Sequence, residues 1–175
     1  MVVRGDLEET STRTDAPTTS VLAHNLVLSF AAANGTGVST ADISAAYLQS
    51  NPIGRQLILS LPKGGIPGVP AGSFLKANVA IYGTRDAPRA SWATLRSALK
   101  EHGLVESEIE SALWFLRTDA GNMIGMLGTH VDDLLWSGNI QMDETMAALQ
   151  KRFSFGKVAT VQKPGDSIRY CGKNL

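Results

Sequence analysis

Cysteine occurs once, at Cys171, so no internal disulfide framework can form, and a lone thiol fits a reducing compartment. Aromatic residues make up only 6% of the chain. No stretch of about eighteen apolar residues is present, which argues against a membrane-spanning helix. Val2 to Ser20 is polar and acidic, where a secretory leader would be basic and then apolar. There is no Gly-Lys-Ser/Thr, so a phosphate-cradling P-loop is not supported. Net charge is absent too: sixteen basic residues balance sixteen acidic ones, and nothing in the total announces a polyanion binder. These absences lead to the expectation of a soluble intracellular protein that is not secreted and does not engage a membrane.

What is present is a chain of 175 residues, 43% of them hydrophobic, enough for one domain with a proper core. The zero net charge is a cancellation of blocks. Residues 1–53 hold two basic residues against five acidic (−3), and 54–100 hold seven against one (+6). Residues 101–145 hold one against nine (−8), and 146–175 hold six against one (+5). Basic blocks flanking an acidic one can set a cation site beside a polyanion surface, or can simply be solvated faces of different sign.

Local patterns give the order of elements. Ser20 can cap a helix with Leu22, Leu26, Phe30 and Ala33 on its packing face, ended by Asn34-Gly35. Val38 to Ile43 and Arg55 to Leu61 read as strands, with a helical turn over Ala45 to Gln49 between them and a Pro/Gly loop from Pro62 to Gly72 after the second. Asp86 as N-cap, Pro88 in the first turn and Gly103 beyond the last bound a helix over about 88–102. Trp92, Leu95, Leu99 and His102 form its packing face, and Arg89, Arg96 and Lys100 a cationic one. Glu110 to Arg117 reads as a strand, and Met123 to Val131 and Leu134 to Trp136 as a buried hairpin. Asp143 is expected to cap a helix bearing Met146, Leu149 and Phe153, and a short strand is expected near Ile168 to Tyr170. The predicted class is α+β, an antiparallel sheet with helices on one face in a βαββαβ order.

Three carboxylates stand in apolar surroundings: Asp42 at a strand end, and Asp132 and Asp133 at the hairpin tip. Adjacent strands would bring them together, and such a cluster calls for cations. Hard oxygen ligands suit Mg²⁺, and a pair of ions about 3.5–4 Å apart serves phosphoryl transfer. The plain alternative is a turn dipeptide and a local cap.

The motifs decide between these. Thr129-His130-Val131-Asp132-Asp133-Leu134-Leu135 resembles the Tyr-x-Asp-Asp hairpin of reverse transcriptases, and Ala41-Asp42-Ile43-Ser44-Ala45-Ala46-Tyr47-Leu48-Gln49 resembles the Asp-Val-x-x-Ala-Phe-Leu motif of copia-type retrotransposon polymerases. Ile81 to Trp92 is similar to that family's Leu-Tyr-Gly-Leu-x-x-Ala-Pro-Arg-x-Trp segment. Val3-Arg4-Gly5-Asp6, Ala16-Pro17-Thr18 and Phe153-Ser154-Phe155-Gly156 resemble its early region, the stretch before its first helix and its palm-closing segment.

The resemblance implies a partial reverse transcriptase domain, with fingers and lead-in helix over 1–36, a first palm motif over 37–50, a fingers-like hairpin and loop over 51–80, and the palm over 81–175 with its catalytic hairpin at 123–137. It implies an RNA-directed DNA polymerase that extends a primer 3′-hydroxyl by two-metal nucleotidyl transfer, using two Mg²⁺ ions with Mn²⁺ as a substitute. Asp42 and Asp132 would coordinate both ions, with Asp133 in support. Tyr47 falls where the family places the aromatic that excludes a 2′-hydroxyl. Gly83, Ala87 and Pro88 match the small-residue frame under template and nucleotide. Arg55, Lys63, Arg85 and Arg89 are candidates for phosphate contact, and Lys163 for protonating pyrophosphate. His130 replaces the tyrosine usual in the hairpin, and Tyr82 stands where retroviral relatives have glutamine. Implied partners are an RNA or DNA template with primer, deoxynucleoside triphosphates, and polyprotein domains not found in this sequence (thumb, ribonuclease H, integrase). The implied location is the cytoplasm, a virus-like particle or the nucleus. The alternative is an inactive or co-opted element remnant that at most binds nucleic acid. A two-metal nuclease is disfavoured by the Gly83 to Trp92 segment. Arg4-Gly5-Asp6 and Asn34-Gly35-Thr36 carry no expected role, and Trp114 and Trp136 read as core rather than as stacking platforms.

Overall fold

A computed structural model describes residues 3–5, 13–163 and 165–175; Asp6, Glu8 and Glu9 of the N-terminal acidic stretch lie outside them. Helix α1 spans Val21–Asn34, and strand β1, Val38–Asp42, leads into a 3₁₀ turn at Ala46–Gln49. Strands β2 (Leu57–Ser60) and β3 (Phe74–Ala77) form a separate hairpin, and helix α2 spans Ala87–Glu101. Then follow β4 (Val105–Glu106), β5 (Leu113–Arg117), β6 (Met123–His130) and β7 (Asp133–Gly138). Helix α3 (Ile140–Arg152) precedes β8 (Ala159–Val161), and β9 (Arg169–Tyr170) turns back into β10 (Lys173–Asn174). No helix among the described residues is long and apolar enough to cross a membrane.

The main sheet has the order β4-β5-β6-β7-β1-β8, with every neighbouring pair antiparallel. The α+β class with an antiparallel sheet and three helices therefore matches the expectation. The expected single helical face does not. Along β7, Leu134 and Trp136 turn toward α2 and α3, packing with Leu95, Leu99, Met142, Met146 and Leu149. Leu135 turns the other way, toward Ala23 and Val27 of α1. A strand apolar on both sides needs cover on both sides, which is why the hairpin reads as an almost continuous apolar run.

Three local expectations are also corrected. Helix α1 buries Ala23, Val27 and Ala31, while Leu22 and Leu26 remain 60% and 39% exposed. Apolar residues surround this helix, and the stripe of smaller ones lets its backbone approach the sheet. Trp92 does not join the core; it is half-buried, with the Arg89 guanidinium 4.2 Å and that of Arg96 5.4 Å from its ring. It thus belongs to the cationic face of α2. Helix α3 is capped by Asn139 rather than Asp143: the Asn139 side chain accepts from the N–H groups of Gln141 and Met142 at 3.0 and 3.3 Å, starting the helix at Ile140. The Ser20 cap and the left-handed Gly35 stop of α1 stand where expected. Trp114 and Trp136 are core residues, 1% and 4% exposed.

Candidate active site

The two acid-bearing strands are neighbours in the middle of the sheet. Strands β1 and β7 pair from Val38 with Ser137 through to Asp42 with Asp133, so the last residue of one directly faces the first of the other. Opposed ladder residues hold their Cα atoms about 4.5–5.5 Å apart. Asp132 sits in the two-residue tip between β6 and β7, and its carbonyl accepts the Ile43 N–H at 2.8 Å. The residue after Asp42 is thereby tied to the tip. Val131, the other tip residue, has φ 59°, a left-handed conformation that a β-branched side chain resists.

Asp42 is exposed, and Asp132 and Asp133 are half-buried. Burial pushes the Asp133 carboxyl above its ordinary range, and Asp132 and Asp42 push the same way; a hydrogen bond from the Cys171 thiol and the nearby His130 oppose them. Burial, reinforced by Asp133, pushes the Cys171 thiol up to about 11, so it is protonated at neutral pH and donates to the carboxylate. No ion pair among the described residues reaches Asp42, Asp132 or Asp133. The three acids bring hard oxygen donors, the type a divalent ion takes, to one corner of the sheet, although their carboxylate oxygens do not gather within 4.8 Å of one another as the ligands of a single ion would.

The segment between α3 and β8 packs against Asp42 and the residues that follow it. Ile43 bridges Phe155, the Gly156 N–H donates to the Asp42 carbonyl at 2.8 Å, and the Ser44 N–H donates to the Ser154 carbonyl at 2.9 Å. A β-carbon on Gly156 would overlap the Asp42 carboxylate, lying 2.7 Å from its Cγ. In the sequence Gly156 reads as a break after the third helix and as part of a palm-closing motif; its contact with Asp42 is made by the fold and carries no local signal.

Tyr47, half-buried, lies against Tyr82, with ring centroids 4.6 Å apart and planes at 43°. Burial pushes its phenol up, with the nearby Asp132 carboxylate and Tyr82 adding to the effect. Gly83 has φ 97°, a backbone state suited to glycine, and is exposed; Ala87 and Pro88 open α2 four residues further on.

The expected phosphate-contacting cations divide by their partners. Arg55 holds Asp86 through two hydrogen bonds of 2.7 and 2.8 Å. Asp86, expected as a helix cap, makes no capping bond, because its carboxylate faces Arg55. That guanidinium holds the Asp86 carboxyl below its ordinary range. Arg85 donates to the Gly5 carbonyl at 3.0 Å, and Arg89 reaches Asp15 at 3.5 Å. Lys63 is exposed in the loop between β2 and β3, and Lys163 is exposed in the loop after β8, its N–H donating to Asp166. A cleft of about 490 Å³ lined by Arg13, Arg55, Asp86 and Arg89 runs beside α2 and includes none of the three acids.

Comparisons of sequence with known proteins identify the family. The family described as reverse transcriptase (RNA-dependent DNA polymerase) matches residues 5–164. Two retrovirus-related Pol polyproteins of Arabidopsis thaliana, from transposons RE2 and RE1, are each 30% identical over 131 residues. That stretch is 74% of this chain and 9% of each polyprotein, so the chain spans less than a tenth of the curated relatives it matches. With the match covering nearly all of its length, the chain belongs to the reverse transcriptase family, in its copia-type branch.

Proposed function

We propose that this domain extends a primer 3′-hydroxyl on an RNA or DNA template, taking deoxynucleoside triphosphates as substrates. The observation that carries the reading is the ladder pairing of Asp42 with Asp133, with Asp132 beside them in the tip. Asp42 and Asp132, supported by Asp133, are the residues that would hold Mg²⁺, or Mn²⁺ in its place. Divalent ions held there supply Lewis-acid charge stabilisation for phosphoryl transfer. In this reading residues 51–80 belong to the fingers, and 37–50 with 81–175 to the palm.

The chain's own groups supply position. Tyr47, braced by Tyr82, forms a wall beside Asp132 against which a 2′-hydroxyl would clash. Gly83 lets template or nucleotide approach the backbone closely. Lys63, Arg85 and Arg89 offer charge to phosphates and Arg55 acts through its hold on Asp86, whereas Lys163 follows Val161, which pairs with Val38 at the end of β1 away from Asp42, so the proton-donor role expected of it is not carried forward. His130, at the end of β6, shapes the hairpin from behind.

The test is primer extension on poly(rA) with oligo(dT), with the purified protein and with Asp132→Asn. Mg²⁺-dependent incorporation that falls at least about a hundredfold in the variant supports the reading. Equal incorporation in both overturns it. Salt-sensitive binding to the template without incorporation favours a nucleic-acid-binding remnant instead.

A further inference from the structure

We infer that His24, His130 and Cys171 form a second metal site, for a soft divalent cation of the Zn²⁺ class, behind the acid-bearing hairpin. One ligand atom from each of the three lies within 4.8 Å of the other two, the one such triplet of histidine, cysteine or acid among the described residues. They come from separate elements: His24 from α1, His130 from the end of β6, and Cys171 from the turn between β9 and β10. All three are half-buried, so a cation can enter from solvent and still be shielded once bound.

A second observation concerns one of these three residues. Nδ1 of His130 is buried and has no hydrogen-bond partner. A packed core histidine normally satisfies both ring nitrogens, and an orphaned one calls for a ligand. The backbone of Cys171 also fits. Cys171 and Gly172 have φ 47° and 78°, the signs of a type I′ hairpin turn, where asparagine or glycine is usual. Holding cysteine there sets its thiol beside His130 and Asp133. His24 is oriented in turn by the Thr19 hydroxyl, 2.9 Å from its Nε2, as an outer partner orients a metal-bound imidazole. Burial lowers the affinity of His24 for a proton, with His130 and Lys173 acting the same way, which keeps the ring in its ligating neutral form.

The donor set separates this site from the carboxylates. A thiolate and two imidazoles select Zn²⁺-type ions, whereas Mg²⁺ prefers oxygen. At Zn–N of about 2.0–2.1 Å and Zn–S of about 2.3 Å, tetrahedral ligand atoms stand about 3.5 Å apart, so closure asks for a shift of about 1 Å or less. Binding replaces the thiol proton, Cys–SH + M²⁺ → Cys–S–M⁺ + H⁺, and the proton leaves to solvent.

Titration of the 175-residue protein with Co²⁺, a spectroscopic stand-in for Zn²⁺, tests this without any assay of activity. One equivalent should give visible d–d absorption with a near-ultraviolet thiolate-to-cobalt charge-transfer band, and Zn²⁺ should abolish both. Cys171→Ser should remove the charge-transfer band, and His24→Gln should weaken Co²⁺ affinity at least about tenfold. Asp42→Asn should leave both signals in place. Absence of the band from the wild-type protein overturns the site whatever the variants do. So does a band that survives Cys171→Ser, or one that depends on Asp42. Circular dichroism of each metal-free variant separates loss of a ligand from loss of the fold.

Discussion

Gly156 lies against the carboxylate of Asp42 so closely that no side chain can be added there without moving the acid. The same glycine donates its N–H to the Asp42 carbonyl, so backbone and side chain of one acid are both set by this contact. Gly156→Ala should therefore displace Asp42 and leave the fold intact. Expected is a loss of primer extension of at least about tenfold, in keeping with the cost of misplacing a reacting group by about 1 Å. Gly54→Ala, where a β-carbon meets open space, is the control and should extend normally. Equal activity in the two variants would remove the positioning role.

The Arg55–Asp86 pair fixes the start of α2 to the segment before β2. The Asp86 side chain is 8% exposed and that of Arg55 25%. Removing one partner of a fully buried pair costs about 3–5 kcal/mol; with a quarter of Arg55 in water, Arg55→Met should cost about 2 kcal/mol, read from urea denaturation. Because Arg55 depresses the folded-state carboxyl of Asp86, the contribution is fully present above the ordinary carboxylate value of 3.8 and fades as pH falls below it. The difference in stability between wild type and Asp86→Asn should accordingly be constant near neutrality and narrow on acidification through that range. A gap that widens toward low pH would contradict the pair.

How much of this was legible in the sequence depends on the range of the forces involved. The hairpin of β6 and β7 was readable because two apolar runs are interrupted only at Asp132-Asp133, and Asp42 was readable because it ends the neighbouring strand. The face that α1 buries was not, since Leu22 and Leu26 offered periodicity as good as Ala23 and Val27, and the sheet made the choice. Strand β8 escaped because three residues carry no pattern of their own; it exists by pairing with β1. The partners of Arg55 and Cys171 lie far along the chain, and their contacts are products of the fold.

Tyr47 and Tyr82 touch face to tilted face, which braces the wall proposed to exclude ribonucleotides. Tyr47→Ala should raise the ratio of ribonucleotide to deoxyribonucleotide incorporation about tenfold or more, the scale of discrimination that a steric contact of this size supports. Tyr82→Ala, which removes only the brace, should raise it by less. Single-nucleotide incorporation on one template measures both. A ratio unchanged in Tyr47→Ala would assign this ring to packing alone.

Val131 stands at the hairpin tip with φ 59°, a conformation in which its branched β-carbon crowds the backbone. Such a residue costs about 1–2 kcal/mol relative to one that accepts the left-handed region freely. Glycine accepts it but gives back about 0.5–1 kcal/mol through the greater freedom of the unfolded chain. Val131 is 37% exposed, so little packing is lost with its side chain. Val131→Gly should therefore stabilise the protein slightly, by about 0.5–1 kcal/mol, as a higher urea midpoint at unchanged slope. The gain should be confined to glycine: Val131→Ala keeps a β-carbon in the same strained position and should bring much less. A fall in the midpoint for Val131→Gly would mean that the tip is held by side-chain contact, and the strain assigned to Val131 would have to be given up.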